Sequence, residues 1–140
     1  MMIMHPDATI PLVQVSLVSN LDPAAHLALG RALSPLRDEG VLILGSGLSY
    51  HNMQGFWRKH PRSAPFDAWL TDAVASADSK VRDAKLKAWR EAPDALYCHP
   101  REEHLLPLMV VAGAAGTDQG TKAFSGKANE ADYSAFHFGT

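Results

Sequence analysis

Only one of the 140 residues, Cys98, is a cysteine, so neither an internal disulfide nor a multi-cysteine zinc site can form. Charge of one sign is lacking too. The 13 Lys and Arg stand against 15 Asp and Glu, a formal charge of −2, which leaves no electrostatic footprint for nucleic acid or an anionic membrane. No stretch approaches the ~20 apolar residues of a membrane span, and the start Met1-Met2-Ile3-Met4-His5-Pro6 has neither a charged n-region nor a long apolar h-region. These absences predict a cytoplasmic chain whose partner is a small molecule or another protein. Internal repeats, low-complexity tracts and linkers are also missing. With 46% hydrophobic and 20% charged residues, the composition suits a single domain, residues 1–140, with a core of its own.

Residues 10–18 (IPLVQVSLV) are rich in β-branched side chains and bounded by Pro6-Asp7 and Asn20-Leu21-Asp22-Pro23, which predicts a mostly buried strand. Asp22 and Pro23 read as an N-cap and first helical residue. Leu29, Leu33 and Leu36 continue at helical spacing, Pro35 can kink the last turn, and Gly40 is placed to end it. Residues 41–44 (VLIL) form a second expected strand. Strand, helix and strand make a β-α-β unit, with parallel strands and a right-handed crossover. The segment GSGLSYHN, residues 45–52, then leaves the carboxyl end of a parallel strand, where open α/β sheets bind ligands.

Further on, residues 66–76 and 79–92 read as covering helices, Pro93-Asp94 as a break, and Pro100 as able to open another helix. Residues 105–115 (LLPLMVVAGAA) are apolar nearly all round, which predicts a buried helix, with Pro107 in its first turn or at a kink. Residues 116–130 read as loop and 133–138 (YSAFHF) as a terminal strand. The expected fold is α/β: a mostly parallel sheet with covering helices in three layers.

Several chemistries can be weighed on the residues. Gly45-Ser46-Gly47 lacks the third glycine of a dinucleotide turn and any Gly-Lys-Ser/Thr. Gly47-Leu48-Ser49-Tyr50-His51 begins like a hydrolase nucleophile elbow, but His51 occupies the place of its second glycine. Cys98 and His99 are neighbours that point apart, so Cys98 reads as a small buried hydrophobe. Of seven histidines, His5, His26 and His60 lie among charged or loop residues and are expected at the surface, and His137 is expected to pack or to bond the backbone. His51, His99 and His104 each stand in a Gly- or Pro-marked turn at the end of an apolar segment, where sites are built.

The segment His99-Pro100-x-x-Glu103-His104-x-x-Pro107-Leu108 resembles the late motif of class III extradiol ring-cleavage dioxygenases, in the branch related to DOPA 4,5-extradiol dioxygenases. Other landmarks follow in the same order. Pro6-Asp7-Ala8-x-Ile10-Pro11-x-Val13-Gln14-Val15-Ser16 is similar to the family's central strand, Leu36-Arg37-Asp38-Glu39-Gly40-Val41 to the approach to its glycine turn, and Gly47-x-x-x-His51-Asn52 to the turn itself. The resemblance implies oxidative opening of a catechol by dioxygen on a divalent ion, Fe(2+) for catalysis, with Zn(2+) sometimes the ion bound. It places His51 at the histidine described as acid/base or metal ligand and His104 at a metal ligand. His99 and Glu103 are expected only to support those two.

Members of this type are longer, and two further histidine ligands come from an early half whose motifs do not occur here. A non-haem iron site needs about three protein ligands, and Glu103 and His104 would lie about 100° apart on a helix, which argues against Glu103 as the third. The resemblance therefore implies the carboxy-terminal half of such a domain, carrying an incomplete site. Its partners would be a catechol-type aromatic molecule, dioxygen, and a second copy or the missing amino-terminal half. The alternative is a non-catalytic remnant that binds a partner or itself.

Overall fold

The computed structural model describes Asp7 and residues 9–139. His5, and Pro6 and Ala8 of the segment likened to the family's central strand, lie outside the described residues.

The first helix, α1 (Pro23–Leu33), begins as the sequence predicts: the Asp22 carboxylate accepts from the N–H groups of Ala24 and Ala25, and Pro23 needs no donor there. Pro35 divides the run, and a four-residue α2 (Pro35–Asp38) follows. Gly40 closes it with φ 78°, a left-handed conformation in which a side chain would be strained. A short α3 (Met53–Trp57), absent from the sequence expectation, is capped by the Asn52 side chain. Then come α4 (Ser63–Val74), α5 (Ser79–Lys87) with Asp78 as its cap, a 3₁₀ turn at Trp89–Glu91, α6 (Ala95–Cys98) and α7 (Leu106–Ala114).

Helix α7 is the centre of the molecule, as its uninterrupted apolar sequence requires. Leu106, Met109 and Ala112 are wholly buried with Leu27, Leu70, Leu86 and Trp89. Burying each such Leu or Met contributes about 1.5–3 kcal/mol. α1 crosses α7 at very short range, because a β-carbon on Gly113 would stand 2.2 Å from the Leu27 carbonyl oxygen. The carboxyl end of α7 is closed by Arg82, itself 1% exposed, whose guanidinium donates to the carbonyls of Ala112, Gly116 and Asp118. A buried cation is tolerable there because the helix end presents unpaired carbonyls and negative partial charge.

The ladder found is antiparallel, not parallel. β1 (Gly120–Ala128) and β2 (Ala131–Phe138) form a two-stranded sheet with a bulge between Lys122 and Phe124. They turn at Asn129 and Glu130, both with positive φ, as a two-residue hairpin loop requires. The expected strand at 133–138 is thus present within β2, while the expected loop at 116–130 contains β1. Residues 10–18 and 41–44 are in no ladder. The described residues therefore do not form the expected parallel β-α-β sheet: main chain becomes strand only against a partner. Val13 is 87% and Leu42 71% exposed. No helix among the described residues is long and apolar enough to cross a membrane.

Candidate metal centre

The glycine turn is shaped by the chain it rests on. A β-carbon on Gly47 would lie 2.2 Å from the carbonyl oxygen of His104, and one on Gly45 2.6 Å from that of Pro107. Glycine at both positions lets the strand-like segment press flat on the approach to α7, and the Leu48 N–H then donates to the His104 carbonyl at 2.9 Å. The following residues are fastened to α6 and its exit. Asn52 Nδ2 donates to the Tyr97 carbonyl at 2.7 Å, and the His51 N–H to that of Cys98 at 3.0 Å. His99 Nε2 donates to the Ser49 carbonyl at 3.0 Å.

Two separate loops are thereby superposed. The His51 and His104 rings stack with centroids 3.6 Å apart and planes 28° from parallel. Glu103 joins them, so that one ligand atom from each of His51, Glu103 and His104 lies within 4.8 Å of the others. Donors on one zinc-sized ion can be no more than ~4.2 Å apart, twice a Zn–N bond, so small side-chain rotations close the set. Glu103 Oε2 is buried without a hydrogen-bond partner. Arg101 Nε is 3.3 Å away, within ion-pair range but outside hydrogen-bonding geometry, and its side chain is mostly in solvent. A carboxylate oxygen buried without a hydrogen bond beside two imidazoles fits a cation, and the donor set suits zinc or ferrous iron.

The electrostatics favour free lone pairs. Burial lowers the His51 pKa, the neighbouring His104 lowers it further, and Glu103 opposes both. His99 falls to about 4, chiefly through burial, with the Ser49 hydrogen bond opposing and His51 and His104 adding to the fall. At neutral pH His51 and His99 are therefore uncharged. Burial drives Cys98 and Tyr50 up to about 12, leaving neither a thiolate nor a phenolate near neutrality.

The expected proximity of His51 and His104 is found. Glu103 differs from expectation, because it and His104 are in a turn and α7 starts only at Leu106, so the helical angle does not apply. Pro107 was the signal: proline suits a helix's first turn, which puts the two residues before it. His99, wholly buried against Phe66 and Trp89, lies behind the pair. The Ser49 hydroxyl is taken as an acceptor by the Ser134 N–H. His60 and His137 are exposed, the latter bonded to the Thr121 hydroxyl. His26 was expected at the surface and is wholly buried: Nδ1 donates to the Asp22 carbonyl and Nε2 accepts from the Val18 N–H. It fixes the end of the first extended segment on α1.

Residues 1–138 match the family described as the catalytic LigB subunit of aromatic ring-opening dioxygenase. The chain belongs to the LigB family. It is 42% identical over 120 residues to a 4,5-DOPA dioxygenase extradiol of Beta vulgaris, covering 83% of this chain and 44% of that protein. A 4,5-DOPA dioxygenase extradiol of Escherichia coli strain K12 is 35% identical, with 79% and 42% covered. Dioxygenase tasH of Hapsidospora irregularis is 33% identical, with 99% and 47% covered. The crystal structure of an uncharacterized protein from Escherichia coli K12 superposes with a TM-score of 0.83 at 28% identity, over 96% of this chain and 58% of that one. This LigB-family chain thus spans less than half the length of the curated relatives it matches.

Proposed function

We propose that this chain is the carboxy-terminal part of an extradiol dioxygenase and supplies part of its metal site, through His51, Glu103 and His104. The observation that carries the reading is the convergence of three ligand atoms within 4.8 Å from loops 53 residues apart in sequence (104 − 51). Two imidazoles and a carboxylate match the ligand types of non-haem iron oxygenases. The ion is Fe(2+) for catalysis, with Zn(2+) able to take the same donors. When bound, it supplies Lewis acidity and redox chemistry that no side chain has.

The chain's own part is to hold and to move protons. His104 and Glu103 hold the cation, and the Glu103 carboxylate offsets its charge. His51, kept neutral by burial and by His104, either adds a nitrogen ligand or takes a catechol hydroxyl proton on an imidazole nitrogen. The substrate class is a catechol, consumed with dioxygen, and DOPA is the first to try because the relatives' names carry it. Turnover needs the rest of the fold, which completes the ligand set and walls the site.

The test is a chimaera in which this chain replaces the matched segment of the Beta vulgaris relative, loaded anaerobically with Fe(2+) and given DOPA and oxygen. Visible absorbance of a ring-opened product is expected, with His51→Ala and His104→Ala each lowering the rate at least a hundredfold. Full activity in both variants would contradict the reading.

A further inference from the structure

Between the glycine turn and His51 the chain is anchored at two points: the Leu48 N–H donates to the carbonyl of His104 itself, and the His51 N–H to that of Cys98. Ser49 and Tyr50 alone bridge these anchors. Whatever fixes those two residues therefore fixes the His51 ring relative to His104. Both are buried, at 9% and 1% exposure, and β2 grips both. The Ser134 N–H donates to the Ser49 hydroxyl at 2.9 Å, and the Tyr133 ring meets the Tyr50 ring edge-on with centroids 6.0 Å apart. His99 holds the Ser49 carbonyl from another direction.

β2 is in turn registered on α4. The Ser134 hydroxyl donates to Asp67 Oδ1, Lys122 Nζ donates to Asp67 Oδ2 at 2.7 Å, and two residues earlier in β2 the Asp132 N–H donates to the Ser63 hydroxyl at 2.8 Å. The Asp67 side chain is only 15% exposed, and enclosing a carboxylate is costly where apolar packing could join the same two elements. What the carboxylate adds is direction. Both its oxygens are engaged, one of them by an ammonium, and a satisfied, charge-assisted network of this kind is rigid.

We infer that Asp67 and Ser134 are positioning residues for the metal centre: Lys122 fixes the Asp67 carboxylate, Asp67 the Ser134 hydroxyl, and the Ser134 N–H the Ser49 hydroxyl, which sets the His51 ring against that of His104. Neither belongs to the cluster of donors. They orient it from behind, as partners of metal ligands do, one step further removed. That the oriented rings serve a metal rests on the function proposed above; their placement by the relay does not.

The test is NMR spectroscopy of the metal-free chain labelled at histidine, reading the nuclear Overhauser contact between the His51 and His104 ring protons. Rings with centroids 3.6 Å apart should give a strong contact in the parent chain. Ser49→Ala and Asp67→Ala should each weaken it at least about threefold, because a site loses its geometry when its supporting residues are removed. Ser49→Thr keeps the hydroxyl and should restore it. Leu86→Val, a core substitution on α5, should lower the urea midpoint and leave the contact unchanged. If Ser49→Ala does not fold, Ser134→Ala takes its place: it keeps the strand N–H, removes only the tie to Asp67, and should weaken the contact as Asp67→Ala does. No contact in the parent, or a contact undiminished in these relay variants, overturns the inference. So does an equal loss in Leu86→Val, which would make the effect one of general stability. A contact that weakens as expected, in a chain where Zn(2+) shifts neither imidazole, would count against the proposed function only.

Discussion

Gly47 and His104 touch through their backbones: the Gly47 α-carbon is so close to the His104 carbonyl that a methyl group added there would stand 2.2 Å from the oxygen. Gly47→Ala must push the turn away from the approach to α7, which costs about 1–3 kcal/mol in a packed region and separates the stacked rings. Urea denaturation should show the loss of stability, and zinc titration a weaker site. An alanine variant equal to the parent in both would mean that the close approach does not position His51.

Arg82 makes a second, independent prediction. Its buried guanidinium serves three carbonyls at the end of α7, of which that of Ala112 is in a buried bond while those of Gly116 and Asp118 are only partly buried, and a buried acceptor left unpaired costs about 1–3 kcal/mol. Arg82→Ala should therefore lower the unfolding free energy by at least about 1 kcal/mol. Arg82→Lys recovers only part, because an ammonium cannot span the same three acceptors. Denaturant midpoints measured for both variants decide it.

Acid stability follows from His99. Folding lowers its pKa from the ordinary 6.5 to about 4, so on acidification the unfolded chain takes up the proton first. The stability contributed by the neutral imidazole is complete above pH 6.5 and is lost as the pH falls from there to about 4, at up to about 1.4 kcal/mol per pH unit. The lowered His51 acts in the same direction. Melting temperature against pH should drop through this window, and His99→Gln should flatten part of the drop. An identical profile in the variant would place the acid sensitivity elsewhere.

The helix signals were legible in the sequence because they are local. Asp22 with Pro23, Gly40 and the apolar run of α7 act within a few residues of themselves. The strands were legible only as half of a relationship. Residues 10–18 and 41–44 have strand composition, but pairing depends on main chain elsewhere. β1 was illegible because Gly120, Gly126, Lys122 and Lys127 break its alternation and its turn, Asn129-Glu130, takes positive φ without glycine. His26 looked like a surface residue because the N–H it accepts from belongs to Val18, on the far side of a turn. At the site, motif order was enough to pair His51 with His104. Glu103 was set aside on an assumed helix that begins only at Leu106, two residues after His104.

The most direct test of the metal centre is anaerobic calorimetric titration of the chain with Zn(2+), run in parallel on His51→Ala, Glu103→Gln and His104→Ala. The expected result is one ion per chain, bound weakly in the absence of the rest of the fold, with each substitution reducing affinity at least tenfold. No binding by the parent chain, or binding that survives all three substitutions, would contradict the assignment of His51, Glu103 and His104 to one ion.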